Sequence, residues 1–174
     1  MKKLILSALC LSFSIGTFGQ ERPLWMRYAK ISPDGKEVAF SYKGDLYKVA
    51  TAGGQATQLT TNPAHDMQPI WSPDGKSIAF ASNRDGGFDV YLIDSQGGIP
   101  ARLTKNSAHE YPISFSNDST ILFSAAIMQD ANDGRFPVFA QVYSVNTKGD
   151  RPTQFSSMPM EDISFQKLQD KKYY

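Results

Sequence analysis

The stretch Trp71-Ser72-Pro73-Asp74-Gly75-Lys76-Ser77-Ile78-Ala79-Phe80 decides the fold, because it is written twice. Forty residues earlier, Ile31-Ser32-Pro33-Asp34-Gly35-Lys36-Glu37-Val38-Ala39-Phe40 keeps Ser-Pro-Asp-Gly-Lys and the alternating apolar run after it. Proline fixes φ near the value a tight turn needs, aspartate bonds its own backbone, and glycine accepts a positive φ that costs other residues about 1–2 kcal/mol. Beyond the turn, Val38 and Phe40, like Ile78 and Phe80, fall on one face of a strand, with Ala39 and Ala79 on the other. The unit is a β-hairpin that has been copied.

Working outward, the residue before each turn serves as a marker: Ile31, Trp71, Phe115 and Phe165, spaced by 40, 44 and 50 residues. Periods of this length with several strands per unit are those of β-propeller blades. Tyr47, Tyr91 and Tyr143 mark a third strand in phase, and Leu59, Leu103 and Phe155 the end of a fourth. Gly53-Gly54, Gly97-Gly98 and Gly149-Asp150 supply the hairpin turns between them. In the second repeat the expected strands are 67–71, 77–82, 89–94 and 101–104. No stretch after Gln20 carries a sustained helical period with caps, so the class is all-β. The expected architecture is a set of four-stranded antiparallel β-propeller blades at 24–64, 65–108 and 109–158, with the start of a fourth at 159–174, forming an incomplete ring.

The third repeat departs twice from the pattern. Its turn, Phe115-Ser116-Asn117-Asp118-Ser119-Thr120, has no glycine, so Asn117 or Asp118 is expected to supply any left-handed residue. An insert from Met128 to Pro137 reads as a solvated surface loop. The fourth repeat stops in mid-strand at Tyr174, and three blades with a fragment cannot close a ring. The chain therefore reads as the amino-terminal part of a longer protein.

The first residues have a different character. Lys2 and Lys3, an apolar run from Leu4 to about Phe18, and Thr17 and Gly19 before Gln20 have the three-part form of a secretory signal peptide, expected over 1–19. The run is short and serine-rich for a membrane span, and Ser7-Ala8-Leu9 before Cys10 does not form a lipobox. Cys10 is the one cysteine, so a chain starting at Gln20 has neither a disulfide nor a thiol nucleophile. Loss of the two lysines lowers a formal net charge of +1 by two, which leaves no basic excess for nucleic acid or an anionic membrane. The expected location is exported, either periplasmic or secreted.

Chemistry-bearing patterns are few. There is no Gly-x-Ser-x-Gly elbow, no His-Glu-x-x-His, no phosphate-cradling glycine loop and no cysteine cluster, so no catalytic, cofactor-binding or metal-binding residue is assigned and no cofactor is expected. His65 and His109, each followed by a carboxylate, sit six residues before their markers. Equivalent positions in neighbouring blades favour a shared structural role in an inter-strand loop over a metal or acid/base site. The Asp-Gly pairs are turn residues without the oxygen-rich run of a calcium loop. Trp71, Phe115 and Phe165 are expected to pack between blades, and Asn83 and Arg84 lie in a loop from which they could reach a peptide at the rim.

Apolar-Ser-Pro-Asp-Gly-Lys, Ile-Ala-Phe, Asp-(Val/Leu)-Tyr, Gly-Gly and Arg/Gln-Leu-Thr together resemble the propeller repeats shared by TolB and the tricorn protease, over Leu24 to Tyr174. The entry Pro23-Leu24-Trp25-Met26-Arg27-Tyr28, the strand pair around Ser41 to Val49 and the third repeat from Leu122 to Ala126 resemble exported, tricorn-like serine peptidases of bacteria. That resemblance implies a non-catalytic propeller preceding a PDZ-like module and a serine peptidase domain, with a channel that admits or sorts peptides. Implied partners are peptide or protein substrates, the rest of the parent polypeptide and a possible second copy, with no nucleic acid and no membrane after signal cleavage. Two alternatives share the repeat: a TolB-like periplasmic interaction propeller without peptidase activity, and the propeller of a dipeptidyl-peptidase-type enzyme.

Overall fold

The computed structural model describes residues 25–127 and 140–156. The segment 1–19, the insert 128–137 and the fourth repeat with Phe165 lie outside them.

The repeated turn is held by its own side chains. In the second copy Ser72 Oγ donates to Asp74 Oδ1 at 2.7 Å and accepts from the Ser77 amide at 2.9 Å, while the Lys76 amide donates to Asp74 at 3.0 Å. Gly75 takes φ +72° and donates its amide to the Ser72 carbonyl at 2.9 Å. The first copy repeats every bond through Ser32, Asp34, Lys36 and Glu37, with Gly35 at φ +74°. These bonds hold the Asp34 and Asp74 carboxyls below their ordinary range, the serine hydroxyl being the main cause. The third turn works differently. Asn117 Oδ1 accepts the Ser119 amide at 2.9 Å and its hydroxyl at 3.0 Å. Neither Asn117 nor Asp118 adopts positive φ, because a side-chain acceptor replaces the left-handed residue expected there.

Each turn opens a meander of four antiparallel strands. The first sheet is β1 (Arg27–Ile31), β2 (Glu37–Tyr42), β3 (Asp45–Ala50) and β4 (Thr57–Gln58), hydrogen-bonded in that order. The second is β5 (Asp66–Trp71), β6 (Ser77–Ser82), β7 (Asp89–Asp94) and β8 (Ala101–Arg102), within two residues of the sequence expectation throughout. The third is β9 (Glu110–Asn117), β10 (Thr120–Ala125), β11 (Gln141–Asn146) and β12 (Thr153–Ser156). Every regular element among the described residues is a strand. The three sheets do not close on themselves, which is the form of an incomplete β-propeller.

The sheets stack face to face in chain order, with β5 packed against β1, β2 and β3, and β9 against β5, β6 and β7. Alternation along β6 feeds both interfaces. Ile78 and Phe80 join Ala39, Leu46, Leu59, Trp71, Tyr91 and Ile93 between the first two sheets. Ala79 joins Ile70, Val90, Leu103, Phe115, Ile121, Phe123 and Tyr143 between the second and third. One ring pair recurs in each sheet: Phe40 with Tyr47 at 5.9 Å, Phe80 with Tyr91 at 5.8 Å and Phe123 with Tyr143 at 5.7 Å. Trp71 and Phe115 are 9% and 4% exposed, as expected of residues between blades, whereas Ile31 at the same register is 61% exposed because no described sheet covers that face.

The Trp71 indole donates to the Lys30 carbonyl across the first interface at 2.9 Å. Trp71→Phe keeps the apolar ring and deletes this donor, so a loss of about 1 kcal/mol in urea unfolding is expected. An unchanged midpoint would show that water replaces the bond without cost.

Candidate functional site

On the inside of the stack β1, β5 and β9 run in series, and each has an irregularity in its pairing. The register shifts between Arg27 and Lys30 in β1 and between Met67 and Ile70 in β5. In both bulges a non-glycine residue is left-handed, Tyr28 at φ +55° and Gln68 at φ +54°. Proline cannot take that conformation, and the third strand carries Pro112 at the corresponding register. There Pro112 pairs with Phe123 and Ser114 with Leu122, so the extra residue moves to Ile113. Left-handed backbone at two side-chain-bearing residues costs of order 1 kcal/mol each and re-aims the side chains beside them.

These bulges face a cleft of about 410 Å3 whose walls include Tyr28, Lys30, Gln68, Tyr111 and Ser124. Its chemistry is mixed. Gln68 Oε1 is buried and meets no hydrogen-bond donor, so the cleft presents an acceptor with an unmet need. Tyr28 and Tyr111 supply ring faces and hydroxyls, and burial, with repulsion from the negative charge Tyr28 would carry when ionised, pushes the Tyr111 phenol up. Lys30 supplies a cation. Tyr28 also borders a second cleft of about 510 Å3, with Trp25, Tyr42 and His65 around it.

From Tyr111 a row of rings leads outward along the loops. Phe88 lies 5.5 Å from Tyr111, 5.7 Å from His109 and 6.3 Å from His65, centroid to centroid. The two histidines are therefore equivalent by repeat and share one phenyl ring. His109 Nδ1 accepts the Phe88 amide at 3.1 Å. A Cβ added to Gly44 would stand 3.6 Å from His65 Nδ1, and one on Gly87 3.5 Å from His109 Nδ1, both ordinary contact distances, so each loop packs on its histidine. Among the described residues no three histidine, cysteine, aspartate or glutamate side chains converge.

The loop residues expected to reach a rim ligand are used internally instead. Asn83 Oδ1 accepts the His65 amide at 2.7 Å. Arg84 donates to Ser82 Oγ at 2.9 Å and to both Asp66 oxygens at 3.0 and 2.9 Å. Asp66 is wholly buried and starts β5, so the arginine is drawn inward by a charge that cannot reach water. The cleft residues Tyr28, Gln68 and Tyr111 were not singled out in the sequence. Their signal was the common offset of Tyr28 and Gln68 from their turns.

The family model described as the tricorn protease N-terminal β-propeller domain matches residues 23–174. The chain belongs to that family. Among curated relatives it is 43% identical over 67 residues to the uncharacterized peptidase YuxL of Bacillus subtilis, covering 36% of this chain and 10% of that protein. It is 33% identical over 69 residues to tricorn protease homolog 1 of Streptomyces coelicolor, covering 40% of this chain and 6% of that protein. Among solved structures, TolB from Agrobacterium tumefaciens superposes with a TM-score of 0.64 at 23% identity, over 76% of this chain and 50% of that one. The propeller fold is thus common to both tricorn and TolB relatives, and the chain spans about a tenth or less of these two peptidase relatives.

Proposed function

We propose that this chain is the non-catalytic amino-terminal propeller of an exported, tricorn-type serine peptidase, and that its inner cleft binds peptide segments on their way to a peptidase domain encoded beyond Tyr174. The observation that carries the reading is the unmet Gln68 acceptor beside Tyr28 and Tyr111. A peptide backbone brings amide donors and apolar side chains together, which is the combination such a cleft rewards. The signal-like first 19 residues and the peptidases among the relatives support export and a proteolytic parent.

The TolB relatives support a second reading, a propeller that binds protein partners with no peptidase attached. The reading frame beyond Tyr174 separates the two, because a PDZ-like module and peptidase domain belong only to the first.

Binding is tested by fluorescence anisotropy with a library of labelled unstructured decapeptides. Gln68→Gly removes the acceptor while glycine tolerates the left-handed backbone, so peptide affinity is expected to fall about five- to tenfold with little change in stability. Tyr111→Ala is expected to weaken the same peptides. Equal affinities in wild type and both variants would remove the cleft as the binding site. The chain alone is expected not to react with a fluorophosphonate serine probe, and stoichiometric labelling would overturn the non-catalytic assignment.

A further inference from the structure

The repeat makes each interface between sheets a control for the other. At the first interface Arg84 fills the space above the ring pair, its guanidinium 4.8 Å from the Tyr91 ring centre and 5.6 Å from that of Phe80, with Asp66 as its counter-ion. At the second interface the ring pair is Phe123 and Tyr143 and the acid is Glu110, which starts β9 as Asp66 starts β5. Asp66 pairs with Ser82, and Arg84 follows two residues on; Glu110 pairs with Ala125, and the residue two further on is Ile127. Arg102, which pairs with Tyr91, is replaced in the same way by Gln154, which pairs with Tyr143. The acid and the rings have been kept and both arginines lost.

Where Arg84 sits in one interface, the other has a cleft of about 620 Å3 bounded by Glu110, Ile127 and Tyr143, with Lys105 and Arg151 exposed at its mouth. Glu110 is wholly buried, and neither of its oxygens has a well-formed hydrogen-bond donor. Asp89 faces it, but Arg102 is spent on Asp89 at 2.8 Å. The Thr104 hydroxyl and Asn106 amide stand near enough to favour the carboxylate without satisfying it. Burial, with Asp89 adding to it, raises Glu110 to a pKa of about 7. A buried acid without a cation, bordering a cleft with a tyrosine ring in its wall, is a receptor for a planar cation.

We propose that the cleft between the second and third sheets binds the guanidinium of an arginine residue supplied by a peptide, with Glu110 as counter-ion and Tyr143 as stacking face. Lys105 and Arg151 at the mouth favour acceptors there, which the carbonyls flanking an arginine side chain provide. The peptide nature of the ligand rests on the function proposed above; the guanidinium site itself rests on the comparison of interfaces. Because the cation binds the ionised acid, binding expels a proton from Glu110, and affinity is expected to fall about tenfold from pH 8 to pH 6.

The probe is N-acetyl-arginine amide, titrated calorimetrically into the whole chain at both pH values, with the isosteric neutral citrulline derivative as control. Expected results are saturable arginine binding with the stated pH dependence, no binding of citrulline, and loss of binding in Glu110→Gln. Ile127→Arg places the arginine of the first interface in the second. It is expected to raise the melting temperature and to abolish ligand binding, so a folding defect in Glu110→Gln does not leave the question open. Equal binding of arginine and citrulline, or full binding by Ile127→Arg, would overturn the site. A library peptide that binds equally with arginine or citrulline removes this site while peptide binding stands. Binding of the arginine amide without any peptide binding supports the site and removes the peptide reading.

Discussion

Arg84→Ala is expected to destabilise the chain by about 3–5 kcal/mol, measured by urea unfolding at pH 7. Asp66 has no exposed surface, and the Arg84 side chain is only 14% exposed, so truncation leaves a carboxylate buried without its cation. The loss exceeds that of a surface ion pair because water cannot hydrate Asp66 once the guanidinium is gone. Stacking on Tyr91 and Phe80 is lost with it, and Asp45, beside Asp66, adds repulsion that Arg84 otherwise offsets. Adding Asp66→Asn should restore a large part of the loss by removing the stranded charge. If the double variant is no more stable than Arg84→Ala, the arginine acts through packing alone and the ion-pair account fails.

What was legible in the chain was whatever is local or repeated. Ser-Pro-Asp-Gly-Lys specified its turn, since the side-chain bonds of Ser72 and Asp74 that shape it lie within five residues. The alternation of Ile78, Ala79 and Phe80 separated the two faces of β6, because strand period fixes facing before any partner is known. Arg84 was misread because an arginine in a turn ordinarily faces water. Its partner Asp66 lies 18 residues away, and nothing in the composition marks an aspartate that opens an inner strand as buried. The bulges at Tyr28 and Gln68 were marked only by a common offset from their turns, since left-handed backbone at residues with a Cβ is imposed by sheet packing and not by turn chemistry. The acid at Glu110 becomes informative only when the repeats are aligned and Ile127 is set against Arg84.

That alignment leads to the pH response. Glu110→Gln is expected to leave stability nearly unchanged at pH 5 and to raise it by about 2–3 kcal/mol at pH 8. The folded chain holds the Glu110 proton up to a pKa of about 7, whereas the unfolded chain releases it near the ordinary 4.5. Between those values the native state binds more protons than the unfolded state, so wild-type stability declines as pH rises from 4.5 through 7 and levels off above it. Asp89 is pushed up by the same burial, partly offset by Arg102, and adds to the slope in the same direction. Glutamine keeps the shape and carries no charge to bury beside Asp89, so its profile loses the share of the slope that Glu110 carries. Urea unfolding of both proteins at four values from pH 5 to pH 8 measures the divergence. Parallel profiles would mean that Glu110 is ionised in the folded state at no cost, and a cation already within the chain would then have to stand beside it.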